Sequence, residues 1–145
     1  MTESLHSFIE TWIKRISKPR PELDGLSLCP FAKKARWDFY LMSENQVDIK
    51  LCKKEVTIFA MLPTMSKSKL EAYVDKLNDV YPKYVFLPDH KDANTKIKGI
   101  ATGNGKHNLI LVQKRKKLQS ARQVLNKQNY YKNLTETYKN KLFSY

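Results

Sequence analysis

Cys29 is the residue whose type and setting most directly suggest chemistry. It stands immediately before Pro30, and proline suits the first position of a helix, where its missing N–H would lack an intrahelical partner anyway. A thiol at a helix N-terminus faces the positive end of the dipole, and Lys33, Lys34 and Arg36 follow within two turns. Such a setting lowers a thiol pKa from about 8.5 toward 7 and makes the thiolate available as a nucleophile. The opposing reading is packing: Leu28, Phe31 and Ala32 are apolar, and a cysteine sealed among apolar groups is inert. Further along, Asp89, His90 and Asp92 form a polar group after an apolar stretch. A loop there could bring His90 to Cys29, with Asp89 orienting the imidazole, as nucleophilic catalysis requires. The same side chains are also metal-ligand types, although three such groups within four residues are ordinary in a polar loop.

A second set of residues could bind rather than react. Lys114, Arg115, Lys116 and Lys117, followed by Arg122, Lys127 and Lys132, make the end of the chain strongly basic. The net charge is +13; residues 113–145 hold nine Lys or Arg against the single acid Glu136, giving +8 there and +5 for residues 1–112. Lopsided positive charge points to an acidic partner, a nucleic acid or a protein. Tyr130, Tyr131, Tyr138, Phe143 and Tyr145 are interleaved with these cations, and aromatic rings stack on single-stranded bases. Tyr131, Leu134 and Tyr138 also fit the core face of a helix, and no nucleic-acid-binding motif is present.

Two other features are excluded from chemistry. Gly99, Gly103, Gly105 and Lys106 invite a phosphate-loop reading, but the spacing to Gly105-Lys106 is wrong and His107 stands where Ser or Thr is needed. An Asn104-Gly105 hairpin turn explains the glycines better. Cys52 reads as core, and two cysteines make neither a disulfide framework nor a four-ligand zinc site. A Cys29–Cys52 bridge is disfavoured in a cytosolic setting. No cofactor motif is recognised.

These residues must be positioned by a small set of elements. Leu5, Phe8, Ile9, Trp12, Ile13 and Ile16 recur at helical spacing, and Pro19 and Pro21 end that helix. Residues 30–35 read as a helical turn. Trp37, Phe39 and Leu41 alternate as a strand, as do Val47, Ile49 and Leu51; residues 55–62 read as a buried strand ended by Pro63. A helix capped by Ser66 runs to Val80, with Leu70, Tyr73, Val74, Leu77 and Val80 on one face. A strand over 84–87, a polar loop over 88–95 and a hairpin over 96–112 follow. Leu118, Ala121 and Leu125, then Tyr131, Leu134, Tyr138 and Leu142, mark two closing helices.

The stretch Trp12-Ile13, then Leu26-Ser27-Leu28-Cys29-Pro30-Phe31-Ala32, resembles an uncharacterised family of small bacterial proteins, with related forms in cyanobacterial phages, marked by Trp followed by Leu-x-Leu-Cys-Pro-Phe-Ala. The match covers about one sixth of the chain. A weaker likeness continues at Leu87-Pro88-Asp89-His90 and at His107-Asn108-Leu109-Ile110-Leu111-Val112. The bacterial pattern there has His-Pro-Asp-Tyr and a Pro-x-Leu-His-Leu-Leu strand, and this chain departs from both. The phage-like branch fits better in length and in its Gly-Asn-Gly turn. The resemblance implies a fold neighbourhood and no reaction. Cys-Pro-Phe also resembles the active-site start of glutaredoxin-like proteins, but there a strand leads into the cysteine, whereas here a loop with two prolines does.

The expected architecture is α+β: a mainly antiparallel sheet with helices packed on it and two C-terminal helices. Residues 1–112 form the core, and residues 113–145 form a basic helical extension docked on the same domain. Hydrophobic residues make up 41% of 145, enough for a packed core. The longest apolar run, 56–62, is too short to span a bilayer, and the start of the chain lacks the basic residues of a secretory signal. The expected location is cytoplasmic, in a host cytoplasm if the protein is phage-encoded. The first functional expectation is an accessory protein that binds an acidic partner through its basic C-terminal region. The alternative is a thiol enzyme or redox protein using Cys29 with His90.

Overall fold

The computed structural model describes residues 4–21, 36–42, 44–94, 96–97 and 100–127, with the backbone alone at 97, 100, 121, 122 and 124–127. Helix α1 (Leu5–Ser17) starts at Ser4, whose hydroxyl accepts the Ser7 N–H, and it buries Ile9, Trp12 and Ile16 on one face. Strand β1 (Trp37–Leu41) is followed by a short 3-10 turn (Ile49–Leu51) and strand β2 (Val56–Met61). Helix α2 (Lys67–Val80) is capped by Ser66 as its sequence predicts, the hydroxyl accepting the Lys69 N–H. Strands β3 (Tyr84–Asp89), β4 (Lys96–Ile97), β5 (Ile100–Ala101) and β6 (Asn108–Lys114) lead to helix α3 (Arg115–Lys127).

The main sheet has four strands in the order β1-β2-β6-β3. β6 runs antiparallel to both β2 and β3, while β1 lies parallel to β2. The α+β expectation therefore holds, with a sheet that is mixed rather than purely antiparallel. The parallel pair was hidden because the β1–β2 connection carries no helical periodicity. Val47, Ile49 and Leu51 alternate like a strand, yet they form no strand: the Asp48 carboxylate accepts the Lys50 N–H and starts a 3-10 turn instead. All three still pack on the core, so period-2 spacing reports burial here and not extension.

β2 is buried along its whole length because both sheet faces are covered. Val56, Ile58 and Ala60 face Ile9, Trp12 and Ile16 of α1, with Leu109 beside them. Phe59 and Met61 face Leu70, Val74 and Leu77 of α2, with Phe86, Ile110 and Val112. The result is a three-layer arrangement around a central sheet.

The Asn104-Gly105 turn does not close the expected hairpin over 96–112. β6 is a central strand, and both of its edges are taken by β2 and β3, so it has no free edge for the preceding segment. β4 pairs with β5 in a separate two-stranded ribbon. β3 also runs past the expected end at Leu87 through Pro88 to Asp89, which an edge strand tolerates because one side of it carries no ladder. The second C-terminal helix falls outside the described residues. No helix of the described residues is long and apolar enough to cross a membrane.

Candidate functional site

The two ends of the sheet differ in chemistry. At the carboxyl ends of β2 and β3 lies a polar cluster built from Asp89, His90, Asn104 and Asn108. Register places Asp89 beside Leu109, on the α1 face. Its Oδ2 accepts from the Asn104 backbone N–H at 3.0 Å and from Asn104 Nδ2 at 2.8 Å. Asn104 Oδ1 in turn accepts the N–H groups of Lys106 and His107, so one side chain shapes the turn that carries Gly105 at φ 74°. Gly103 lies so close that an added Cβ would stand 2.9 Å from Asp89 Oδ1. From α1, Arg15 donates to the carbonyls of Ala101 and Gly103 at 2.9 and 2.7 Å, and Trp12 Nε1 donates to Thr102. Burial pushes the Asp89 carboxyl up to about 6, against the opposing pull of the Asn104 hydrogen bonds and of Arg15 and His90.

His90 is buried, and both ring nitrogens are engaged. Nε2 lies 2.7 Å from the Met65 carbonyl, and Nδ1 accepts the Asp92 N–H at 3.0 Å, which assigns the ring proton to Nε2. Asn108 Nδ2 donates to the Leu62 and Met65 carbonyls, and its Oδ1 accepts the Lys91 N–H. His90 and Asn108 thus tie the loop after β2 to the end of β3. This bracing uses the lone pair that a general base or metal ligand would need. Among the described residues, no group of three His, Cys, Asp or Glu side chains is placed to hold a metal. Cys29, the expected partner of His90, lies outside the described residues.

Cys52 is buried, and burial pushes its thiol up to about 11. In the folded protein it should not react with iodoacetamide at pH 8, and full modification should need denaturant. Any rapid alkylation of native protein would then report on Cys29 alone. Modification of Cys52 in native protein, located by peptide mass mapping, would contradict its sealed setting.

The opposite end of the sheet is basic. β6 ends at Lys114, and α3 begins with Arg115, Lys116 and Lys117, with no acidic residue in its first turn. Arg115 is not directed outward: Nε donates to the Pro82 carbonyl at 2.8 Å, Nη2 lies 3.3 Å from the Tyr84 carbonyl, and its N–H bonds to Lys83 O. It fastens α3 to the start of β3, while Leu118 is buried below. Lys114, Lys116 and Lys117 are exposed, and none of the ion pairs among the described residues involves them. Arg122 and Lys127 lie on α3, and Lys132 is outside the described residues.

Sequence reasoning missed two cations that tertiary structure adds to this end. Lys53 precedes β2 and Lys83 precedes β3; both are exposed and lie outside the same set of ion pairs. Their neighbours Arg36 and Lys54 differ, pairing with Glu55 and Asp38. Only the strand order could reveal the grouping, since Lys53 and Lys83 lie far in sequence from each other and from Lys114.

No family model matches the chain, and no curated protein or solved structure matches it either.

Proposed function

We propose that the protein is an accessory binding protein that engages an acidic partner through the basic region beginning at Lys114. The observation that carries this reading is the placement of Lys116 and Lys117 in the first turn of α3 with no carboxylate there to balance them. Cations at a helix N-terminus oppose the dipole at a cost of about 0.3–1 kcal/mol each. An anionic partner would reverse that penalty. Acids in the first turn would have stabilised the free protein better, so the arrangement favours the bound state over the unbound one.

The test is the triple variant K114Q/K116Q/K117Q, compared with wild type in binding to polyanions across a salt series. Glutamine keeps the length of the side chain and suits a helix, so melting temperature should change little. Affinity should fall at least tenfold at physiological salt, and the salt dependence should flatten by about 0.7–0.9 per lost phosphate contact if the partner is a nucleic acid. Unchanged affinity for nucleic acid and acidic protein alike would reduce the region to a solvated surface.

A further inference from the structure

We infer that the binding surface is the whole basic end of the sheet, and that its partner is a single-stranded nucleic acid held by its phosphates and by base stacking on Tyr81. The inference rests on the reading above and goes beyond it in two respects: it adds residues far from the C-terminal region, and it selects one class of partner.

Strand order places Lys53, Lys83 and Lys114 at one end of the sheet, followed directly by Lys116 and Lys117. Neighbouring strands lie about 4.8 Å apart, so the four strand ends span roughly 14 Å. The acids at this end are few. Glu55 and Asp38 are matched by Arg36 and Lys54, while Asp48, beside Cys52, and Asp79, in the last turn of α2, are exposed and outside the described ion pairs. Five lysines outside any described ion pair therefore outnumber these two unmatched carboxylates.

The type of cation separates the candidate partners. Lysine is depleted in protein–protein interfaces, whose strong contacts come from arginine and aromatic side chains. Among the side chains described at this end the guanidiniums are already committed: Arg115 to backbone carbonyls and Arg36 to Glu55. What remains is a row of flexible point charges, which suits a phosphate backbone that needs neutralising without a fixed geometry.

Tyr81 selects the single-stranded form. It caps the C-terminal end of α2 and adjoins Pro82, whose carbonyl holds Arg115, so it lies beside the lysines. Its ring leans on Phe86 at 6.0 Å, yet 37% of the residue stays exposed. A partly exposed ring braced by a second, tilted ring offers a surface on which an unpaired base can stack and a base inside a duplex cannot.

The experiment measures fluorescence anisotropy of labelled oligothymidylate, a duplex hairpin and poly-glutamate with the full chain over 50–300 mM salt. The variants are K53Q/K83Q, K114Q/K116Q/K117Q, Y81A and the control K69Q/K96Q, which removes two exposed lysines outside this surface, one in the first turn of α2 and one on β4. The single strand should bind at least tenfold tighter than the duplex or poly-glutamate. K53Q/K83Q should lower the log–log salt slope by about 1.4, two contacts at about 0.7 each on a single strand. Y81A should weaken oligothymidylate binding by about tenfold with little change in slope, and the control should behave as wild type. If the triple variant loses affinity while K53Q/K83Q does not, the extended surface is wrong and the narrower function stands. If K69Q/K96Q lowers the slope as much as K53Q/K83Q, general charge and not a surface is responsible. Equal binding of duplex, or an inert Y81A, overturns the single-strand assignment; preferred binding of poly-glutamate overturns the nucleic-acid assignment. If no variant alters any binding, both readings fail together.

Discussion

Replacing Trp12 with alanine should destabilise the protein by about 3–5 kcal/mol, the cost of removing a large buried aromatic side chain from a packed core. Trp12 is 6% exposed and packs with Ile9, Ile16, Ile58 and Leu109, where α1 meets β2 and β6. The collapse of a cavity there is limited by the sheet, which is held by two antiparallel ladders and cannot shift to fill it. Trp12 also reaches the Thr102 carbonyl at 3.4 Å, so the variant should loosen the segment before Asn104. Urea unfolding at constant slope would measure the loss. A change below 1 kcal/mol would mean that α1 does not cover the sheet as described. The apolar patterns around Trp12 and Phe31 lead one to expect both in one core, and Phe31 lies outside the described residues.

The second large effect concerns Asp89 and has a defined direction with pH. Its carboxyl is raised from 3.8 to about 6 in the folded protein, chiefly by burial. The folded state therefore holds the proton more tightly than the unfolded state, and between these two values it binds more protons. Stability must then fall as pH rises through that window, and the loss is complete once the folded group has ionised. The size is on the order of 1–3 kcal/mol, allowing for the solvent that still reaches this half-buried residue. Asp89→Asn removes the ionisation and keeps an oxygen to accept both Asn104 bonds. The variant should therefore be more stable than wild type at pH 7.5, and the difference should shrink toward zero near pH 4. Paired unfolding curves at pH 4, 5, 6 and 7.5 cancel the other carboxylates. A variant less stable than wild type at pH 7.5 would show that the charge on Asp89, through Arg15 and Asn104, stabilises the fold after all.

Much of the fold is legible in the sequence because it depends on local patterns. Ile9, Trp12 and Ile16 recur at helical spacing, so α1 and its buried face follow without knowledge of the partner layer. The apolar run of β2 implies cover on both faces, and Ser66 marks where α2 starts because a hydroxyl satisfies an N–H three residues on. The basic asymmetry of residues 113–145 is a matter of counting.

What tertiary structure alone decided depends on which strand edges meet. Asn104-Gly105 carries the local preference of a hairpin, but a central β6 has no edge to offer its own preceding segment, so Asn104 became a side-chain brace for Asp89. Alternation at Val47, Ile49 and Leu51 signals burial and cannot distinguish a strand from a capped 3-10 turn, and with that ambiguity the parallel β1–β2 pairing was lost. Asp89 and His90 read as part of a polar loop, whereas Asp89 ends β3 and the sheet end buries the histidine and engages both its nitrogens. Arg115 and Lys114 are alike in a count of charge, yet one is fastened to carbonyls and the other faces solvent. Lys53 and Lys83, thirty positions apart, join them only because the strands they precede enter the sheet from the same end. Charge and periodicity are properties of the chain; proximity is a property of strand order, which long-range pairing sets and no local spacing encodes.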